Sequence, residues 1–274
     1  RSFDPQKGDF HQMKTFEGIV LIVDFDGTLA YRGVIPEANC EAIRYFQENG
    51  GLFTLASGRN PGWIAKHRDS VFPNTWVSLI NGAVLIDPEE KEIAFSMTSG
   101  RELLEMATRI FEECPMLQQA QHDLVTGYIR QMPGEVLSED VLNTPIYKSL
   151  YVVPAEYSDE YTARIKEIAG DEYIVMCSWV NGIEIQKKGT GKGDSVRRLK
   201  ELLGDRAKLV VGVGNYENDM DLIQAADIGY AVDNAPDWLK AVADRVTVDC
   251  SEGAIAAIIA ELEREDPLGV GKAN

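Results

Sequence analysis

Asp24 and Asp26 stand two positions apart in Val23-Asp24-Phe25-Asp26-Gly27-Thr28, at the end of an apolar run. Neighbouring carboxylates are costly to hold together unless a cation lies between them or one keeps a proton. In an extended chain the two acids share a face while Phe25 points away. A hard divalent ion such as Mg2+ takes oxygen ligands of this kind and keeps several of its waters. It would also offset the charge of an incoming anion. Three further stretches carry complementary groups: Ser57-Gly58-Arg59, Gly191-Lys192-Gly193, and Gly214-Asn215 followed by Asn218-Asp219. Ser57, Lys192 and backbone N–H groups near Gly27 and Gly58 could hold that anion. A carboxylate nucleophile, a second carboxyl as acid and base, a metal ion and a lysine make phosphoryl-transfer chemistry.

These groups need elements that bring them to one place. Residues 18–26 form a continuous apolar run ending in acids, which reads as a strand buried on both faces of a parallel sheet. Pro36 opens a helical pattern with Ala38, Ala42, Ile43, Tyr45 and Phe46 on one side, and Gly50-Gly51 closes it. Residues 52–57 predict a second buried strand, 61–71 a helix and 76–80 a third strand. The same pattern resumes near the C-terminus: a helix after Lys192, a buried strand over 207–214, a helix near 217–225, then further short strands and helices to about residue 264. Strands alternating with helices predict an α/β, doubly wound, mainly parallel Rossmann-like core. In such sheets ligands bind at the carboxyl ends of the strands. All four polar stretches fall at that edge.

The middle third differs. Residues 83–87 and 92–96 flank a turn and predict a hairpin. A helix near 100–113, strands over 124–131 and 146–153, and a helix over 157–169 follow. Asn181-Gly182 then joins a final strand pair. The expectation is an inserted α+β cap over 83–186. The core is then 17–82 with 187–266, and residues 1–16 form a flexible extension. The tail from Asp266 reads as loose.

Taken in order, the four polar stretches resemble the motifs of the haloacid dehalogenase superfamily of phosphatases. The large insertion between the second and third motifs, Asn81-Gly82-Ala83 before it and residues 183–193 after it are similar to the Cof-type branch. The resemblance covers about residues 17–262. It implies that Asp24 is the nucleophile that becomes an aspartyl-phosphate. Asp26 would protonate the leaving oxygen and then activate water. Asp24, through its side chain, and Asp26, through its backbone carbonyl, would bind Mg2+. Ser57 and Lys192 would hold phosphoryl oxygens, Lys192 also balancing Asp24. Asn218 would contact the phosphate and Asp219 would support the metal shell. The cap would act as a lid, hinged near 81–83 and 186–189. One position departs: the fourth motif usually reads Gly-Asp-x-x-Asn-Asp, and its first acid ligates the metal. Here Asn215 stands there. An asparagine carbonyl still coordinates Mg2+ but brings one negative charge fewer, which implies weaker metal binding.

Composition limits the alternatives. The formal net charge is −17, which argues against nucleic acid or an anionic membrane as partner and favours small or cationic ligands; the small phosphorylated metabolite that the resemblance implies would need local cations to overcome that field. No apolar stretch is long enough to span a bilayer. The four cysteines, Cys40, Cys114, Cys177 and Cys250, form no C-x-x-C pair. They read as reduced thiols of a cytoplasmic protein. Gly189 to Gly193 fails as a nucleotide P-loop, because Gln186 stands where the first glycine belongs and Gly193 follows the lysine. Glu217 occupies the third glycine position of a dinucleotide fingerprint. A phosphotransferase or mutase on the same chemistry, and a non-enzymatic binder that kept the fold, are the other readings. Trp63, Tyr128, Arg130 and Trp179 are candidates to line a substrate pocket, although core packing or surface explains such residues more often.

Overall fold

The computed structural model describes residues 15–71, 73–89 and 91–269. From the N-terminus run β1 (Ile19–Val23), α1 (Glu37–Glu48), β2 (Leu52–Leu55), α2 (Pro61–Val71) and β3 (Val77–Leu79). β4 (Val84–Ile86) and β5 (Ile93–Ser96) form the hairpin. The insertion continues with α3 (Arg101–Glu113), β6 (Gln119–Leu124), β7 (Gly127–Gln131), α4 (Glu139–Leu142), β8 (Lys148–Val152), α5 (Ser158–Ala169), β9 (Tyr173–Trp179) and β10 (Gly182–Lys187). The chain then returns through α6 (Lys192–Leu203), β11 (Leu209–Gly214), α7 (Met220–Ala225), β12 (Ile228–Ala231), α8 (Asp237–Lys240), β13 (Arg245–Val246) and α9 (Ala254–Glu265).

The core sheet has the order β13-β12-β11-β1-β2, every pair parallel. β1 lies inside it and shows why its sequence is apolar throughout. Ile19, Leu21 and Val23 face the layer that holds Ile43 and Phe46 of α1 and Ile258 of α9. Val20 and Ile22 face Val196 and Leu199 of α6 and Leu222 of α7. With helices on both faces, neither set of alternate residues meets water. Each such side chain contributes roughly 1.5–3 kcal/mol by leaving water.

The cap is an antiparallel sheet, β7-β6-β8-β10-β9. One face packs against α3 and α5 through Ala120, Tyr151, Val175, Cys177, Ile183 and Ile185, together with Leu103, Ala107 and Ile165 from the helices. The expected strand over 124–131 is a hairpin instead: β6 and β7 pair closely, with Leu124 opposite Gly127.

Two boundaries move. The hairpin β4–β5, expected in the cap, pairs with β3. Ala83, Val84 and Ile86 are buried with the core strands, and Ala56 bridges Ser78 so that β3 extends the β2 edge. The chain therefore crosses into the cap at 97–100 and leaves it at 188–191. Asn81, expected at a hinge, is fully buried and tied by side-chain hydrogen bonds to Glu184 and Gln186. At the N-terminus Phe16, assigned to a flexible extension, is fully buried and packs on Phe46 with ring centroids 4.8 Å apart. Residues 1–14 of that extension, and the tail from residue 270, lie outside the described residues.

Candidate active site

β1 ends at Val23, and Asp24 is the first residue beyond it. Its backbone N–H donates to Val213 of β11 and its carbonyl accepts from Leu29, so the chain turns sharply while Asp24 stays at the sheet edge. Asp24 is buried. Lys192, the first residue of α6, is also fully buried and donates to Asp24 Oδ1 at 2.7 Å and to Asp219 Oδ1 at 2.5 Å. Two buried carboxylates thus share one ammonium. Burial and the Asp219 charge push the Asp24 carboxyl up to about 7, against the pull of Lys192. For Lys192, burial opposes the charge, but Asp219 and Asp24 outweigh it and hold the ammonium ionised.

Asp219 is built in by β11 and its following turn. Its Oδ2 accepts from the backbone N–H groups of Asn215 at 2.8 Å and Tyr216 at 3.2 Å. A Cβ on Gly214 would lie 2.2 Å from Asp219 Cβ, so only glycine leaves room for this carboxylate. With both oxygens committed, Asp219 turns to Lys192 and the turn rather than to the open side of Asp24. Its place in the site is to hold Asn215 and Lys192.

The Asn215 side chain fills that open side. Its terminal amide lies 3.1 Å from the Asp26 backbone carbonyl, 3.3 Å from Asp24 Oδ2 and 3.1 Å from Thr28 Oγ1. With NH2 turned inward it donates to these oxygens. With Oδ1 inward it accepts from Thr28 and adds a third oxygen to those of Asp24 and Asp26. Gly27, at φ 80°, leaves room for the other end of the amide, which would stand 2.6 Å from a Cβ there. Among the described residues, no three His, Cys, Asp or Glu side chains converge as a metal cluster. The donor set here is instead one carboxylate oxygen, one backbone carbonyl and one amide oxygen, the hard oxygen ligands that suit Mg2+. The residues present fit the ion.

Asp26 points the other way, half exposed, and both its oxygens accept from Arg59, Nε at 2.9 Å and Nη2 at 2.8 Å. The Arg59 guanidinium lies over Trp63, 4.9 Å from its ring centroid. Trp63 in turn packs edge-on against Phe25. Ser57 is buried at the end of β2, and its Oγ accepts from the Arg59 N–H. Gly58 lines the cleft beside Asp24 and Asp26. Asn218 also lines it, with Nδ2 at 3.4 Å from Asn81 Oδ1. The Gly27 N–H, expected to face an anion, donates to the Ala30 carbonyl at 2.9 Å and closes the turn instead.

The cleft has a volume of about 1040 Å3 and lies between core and cap. Of the four candidates, Trp63, Tyr128 and Trp179 line it, although core packing or surface is the commoner reading for such residues; Arg130 is not in its wall and reaches toward the Tyr128 hydroxyl instead. Sequence reasoning missed the cap's own polar wall: Gln121, Asp123, Lys148 and Glu184. Their period-2 spacing along β6, β8 and β10 was the available signal, but the same alternation describes a sheet face open to water.

A profile of haloacid dehalogenase-like hydrolases matches residues 21–259. The phosphatase YwpJ of Bacillus subtilis is 24% identical over 89% of this chain and 99% of its own length. The 5-amino-6-(5-phospho-D-ribitylamino)uracil phosphatase YitU of the same organism is 28% identical over 88% and 96%. In fold, the chain is similar to the solved structure of the HAD subclass IIB sugar phosphatase BT4131, with a TM-score of 0.74 over 89% of this chain and 98% of that one, at 19% identity.

Proposed function

This chain belongs to the haloacid dehalogenase-like hydrolase family, among its Cof-type phosphatases, and from that premise we propose that it hydrolyses a small phosphomonoester through an aspartyl-phosphate, with Mg2+ as cofactor. The observation that carries this reading is Asp24: a buried carboxylate at a strand end, bonded to Lys192 on one side and met on the other by the Asn215 amide beside the Asp26 carbonyl. Asp24 attacks phosphorus, forming an acyl phosphate as the ester P–O bond breaks. The leaving oxygen takes a proton from Asp26. A water then loses its proton to Asp26 and attacks phosphorus, and Asp24 leaves as a carboxylate. Lys192, bonded to Asp24 Oδ1, orients the carboxylate for attack and favours its charged form against burial. Arg59 fixes the resting position of Asp26, which must part from the guanidinium to reach the leaving group. Mg2+, held by Asp24, the Asp26 carbonyl and Asn215, would offset negative charge on the phosphoryl group.

Gly58 and Asn218 in the cleft wall, with the buried Ser57 and Lys192, would hold the phosphoryl oxygens. The cap closes the cleft over them and excludes bulk water while the phosphoryl group passes to Asp24, leaving the single water that Asp26 later activates. Among the described residues, no helix is long and apolar enough to cross a membrane and all four cysteines are free, which supports a cytoplasmic setting. The test is release of p-nitrophenol from p-nitrophenyl phosphate with Mg2+ and with EDTA, using wild type and Asp24→Asn. Turnover that needs Mg2+ and is abolished in a folded Asp24→Asn protein is expected. Wild-type rates in that variant would refute the nucleophile. A panel of phosphorylated sugars and phosphorylated cofactor precursors then identifies the substrate.

A further inference from the structure

The cap sheet has one apolar face and one polar face, and the middle of the polar face is not in water. Residues alternate along each strand. Ala120, Tyr151, Ile183 and Ile185 go to the cap helices, whereas Asp123, Lys148 and Glu184 go to the cleft. All three are nonetheless buried, because the core covers this face. Asp123 and Lys148 are directly opposed across β6 and β8. Lys148 donates to Glu184 Oε1, while Asp123 Oδ2 stands at 3.6 Å, too far for a good hydrogen bond. The other Glu184 oxygen accepts from Asn81, a core residue at φ 50°, at 2.5 Å. Asparagine tolerates this left-handed conformation better than most side chains. The core thus fixes Glu184, and Glu184 fixes the ammonium.

That ammonium faces the core. A Cβ placed on Gly58, next to the buried Ser57, would lie 3.3 Å from Lys148 Nζ. Of its three N–H donors, Glu184 takes up one in a close bond, and the ion pair with Asp123 at 3.6 Å engages another only loosely. A lysine buried only for structure would have its donors satisfied by its own domain. This one keeps donors at the wall of the neighbouring domain's anion site, across a cleft that also holds Asp24 and Asp26.

We propose that Lys148 is a second cation of the phosphate site, delivered by the cap and binding the substrate's phosphoryl oxygens when core and cap are together. Glu184 and Asn81 are its positioning residues. The inference rests on the phosphatase reading above and adds a ligand contact that the core motifs do not supply. It also gives the cap a part in binding the phosphate as well as the rest of the substrate. Burial works against the Lys148 charge, yet Glu184 and Asp123 outweigh it and keep the ammonium ionised.

The test reads phosphate itself, so that the leaving group is not involved. The inhibition constant of inorganic phosphate against p-nitrophenyl phosphate hydrolysis is measured for wild type, Lys148→Met and the charge-balanced pair Lys148→Met with Glu184→Gln. Loss of one charge-assisted contact should raise that constant roughly ten- to a hundredfold in both variants. An unchanged constant in whichever variant folds makes the triad a structural device and overturns the proposal. Crystals of the wild type with Mg2+ and tungstate supply a reading that needs no variant. Lys148 Nζ within hydrogen-bond distance of a tungstate oxygen beside Asp24 is expected. Tungstate beside Asp24 without that contact overturns the Lys148 role alone, whereas tungstate absent from Asp24 and Lys192 overturns the phosphatase site and the Lys148 role with it.

Discussion

Replacing Asn215 by Asp tests the electrostatics of the recess most directly. In the protein without metal, the inward NH2 has two hydrogens to share among the Asp26 carbonyl, Asp24 Oδ2 and Thr28 Oγ1. Asn215→Asp removes both donors, at about 1 kcal/mol each. It also places a new carboxylate 3.3 Å from Asp24 Oδ2. Two unit charges at that distance repel by about 5 kcal/mol in an effective dielectric of ~20, a ceiling that proton uptake lowers. A net loss of about 2–4 kcal/mol is the working figure, since a carboxyl that takes a proton regains a donor. At ~2–4 °C per kcal/mol for a chain of this size, the melting temperature in EDTA should fall by about 4–16 °C. Metal reverses the sign, because a second ionised ligand is an asset once the cation is present. If the metal-bound forms are equally stable, the cycle requires tighter Mg2+ binding by roughly 30- to 800-fold. Calorimetric melting in EDTA and isothermal titration with Mg2+ measure the two halves. A variant that melts with the wild type in EDTA and binds Mg2+ no more tightly refutes the reasoning.

Two further outcomes follow from the same site. The folded-state pKa of Asp24 is raised from 3.8 to about 7, so the folded protein holds a proton that the unfolded chain releases. Without metal, stability from this group is therefore full below about pH 4 and is lost as pH rises toward 7, in total by roughly 4 kcal/mol. Urea unfolding in EDTA at pH 5 and pH 7.5 should show about 2.5 kcal/mol of that loss in wild type relative to Asp24→Asn, and parallel slopes would count against it. Gly214→Ala sets a methyl 2.2 Å from Asp219 Cβ. It should cost about 1–3 kcal/mol by overpacking and end activity by unseating Asp219 from Lys192; a stable, active variant would show that the turn yields freely.

Much of the fold could be read before any coordinate. An apolar run ending in Asp24 and Asp26, a Pro36 start and Gly50 stop for α1, and the return of the same pattern after Lys192 require strands and helices in alternation. Asp24, Lys192, Asn215 and Asp219 come together as their positions at strand and helix ends imply. Less legible was the hairpin over 84–96, whose sequence suits either domain. Its side is set by hydrogen bonding to β3 and by burial of Val84 and Ile86, both long-range facts. Asp26 read as a free acid, and its capture by Arg59 depends on two loops that meet only after the sheet forms.

By itself, the order of residues determined which side chains share a face and which lie at the ends of elements, because backbone geometry imposes periods of 2.0 and about 3.6. It thereby placed a carboxylate, a lysine and an amide at one edge of a parallel sheet. Only the packed structure decided what covers each face. Lys148, Glu184 and Asp123 have the alternation of a solvent-facing sheet, yet the core closes over them and turns a polar surface into the second wall of the cleft. Periodicity is local, whereas burial depends on which distant segment arrives, and that depends on contacts between residues far apart in the chain.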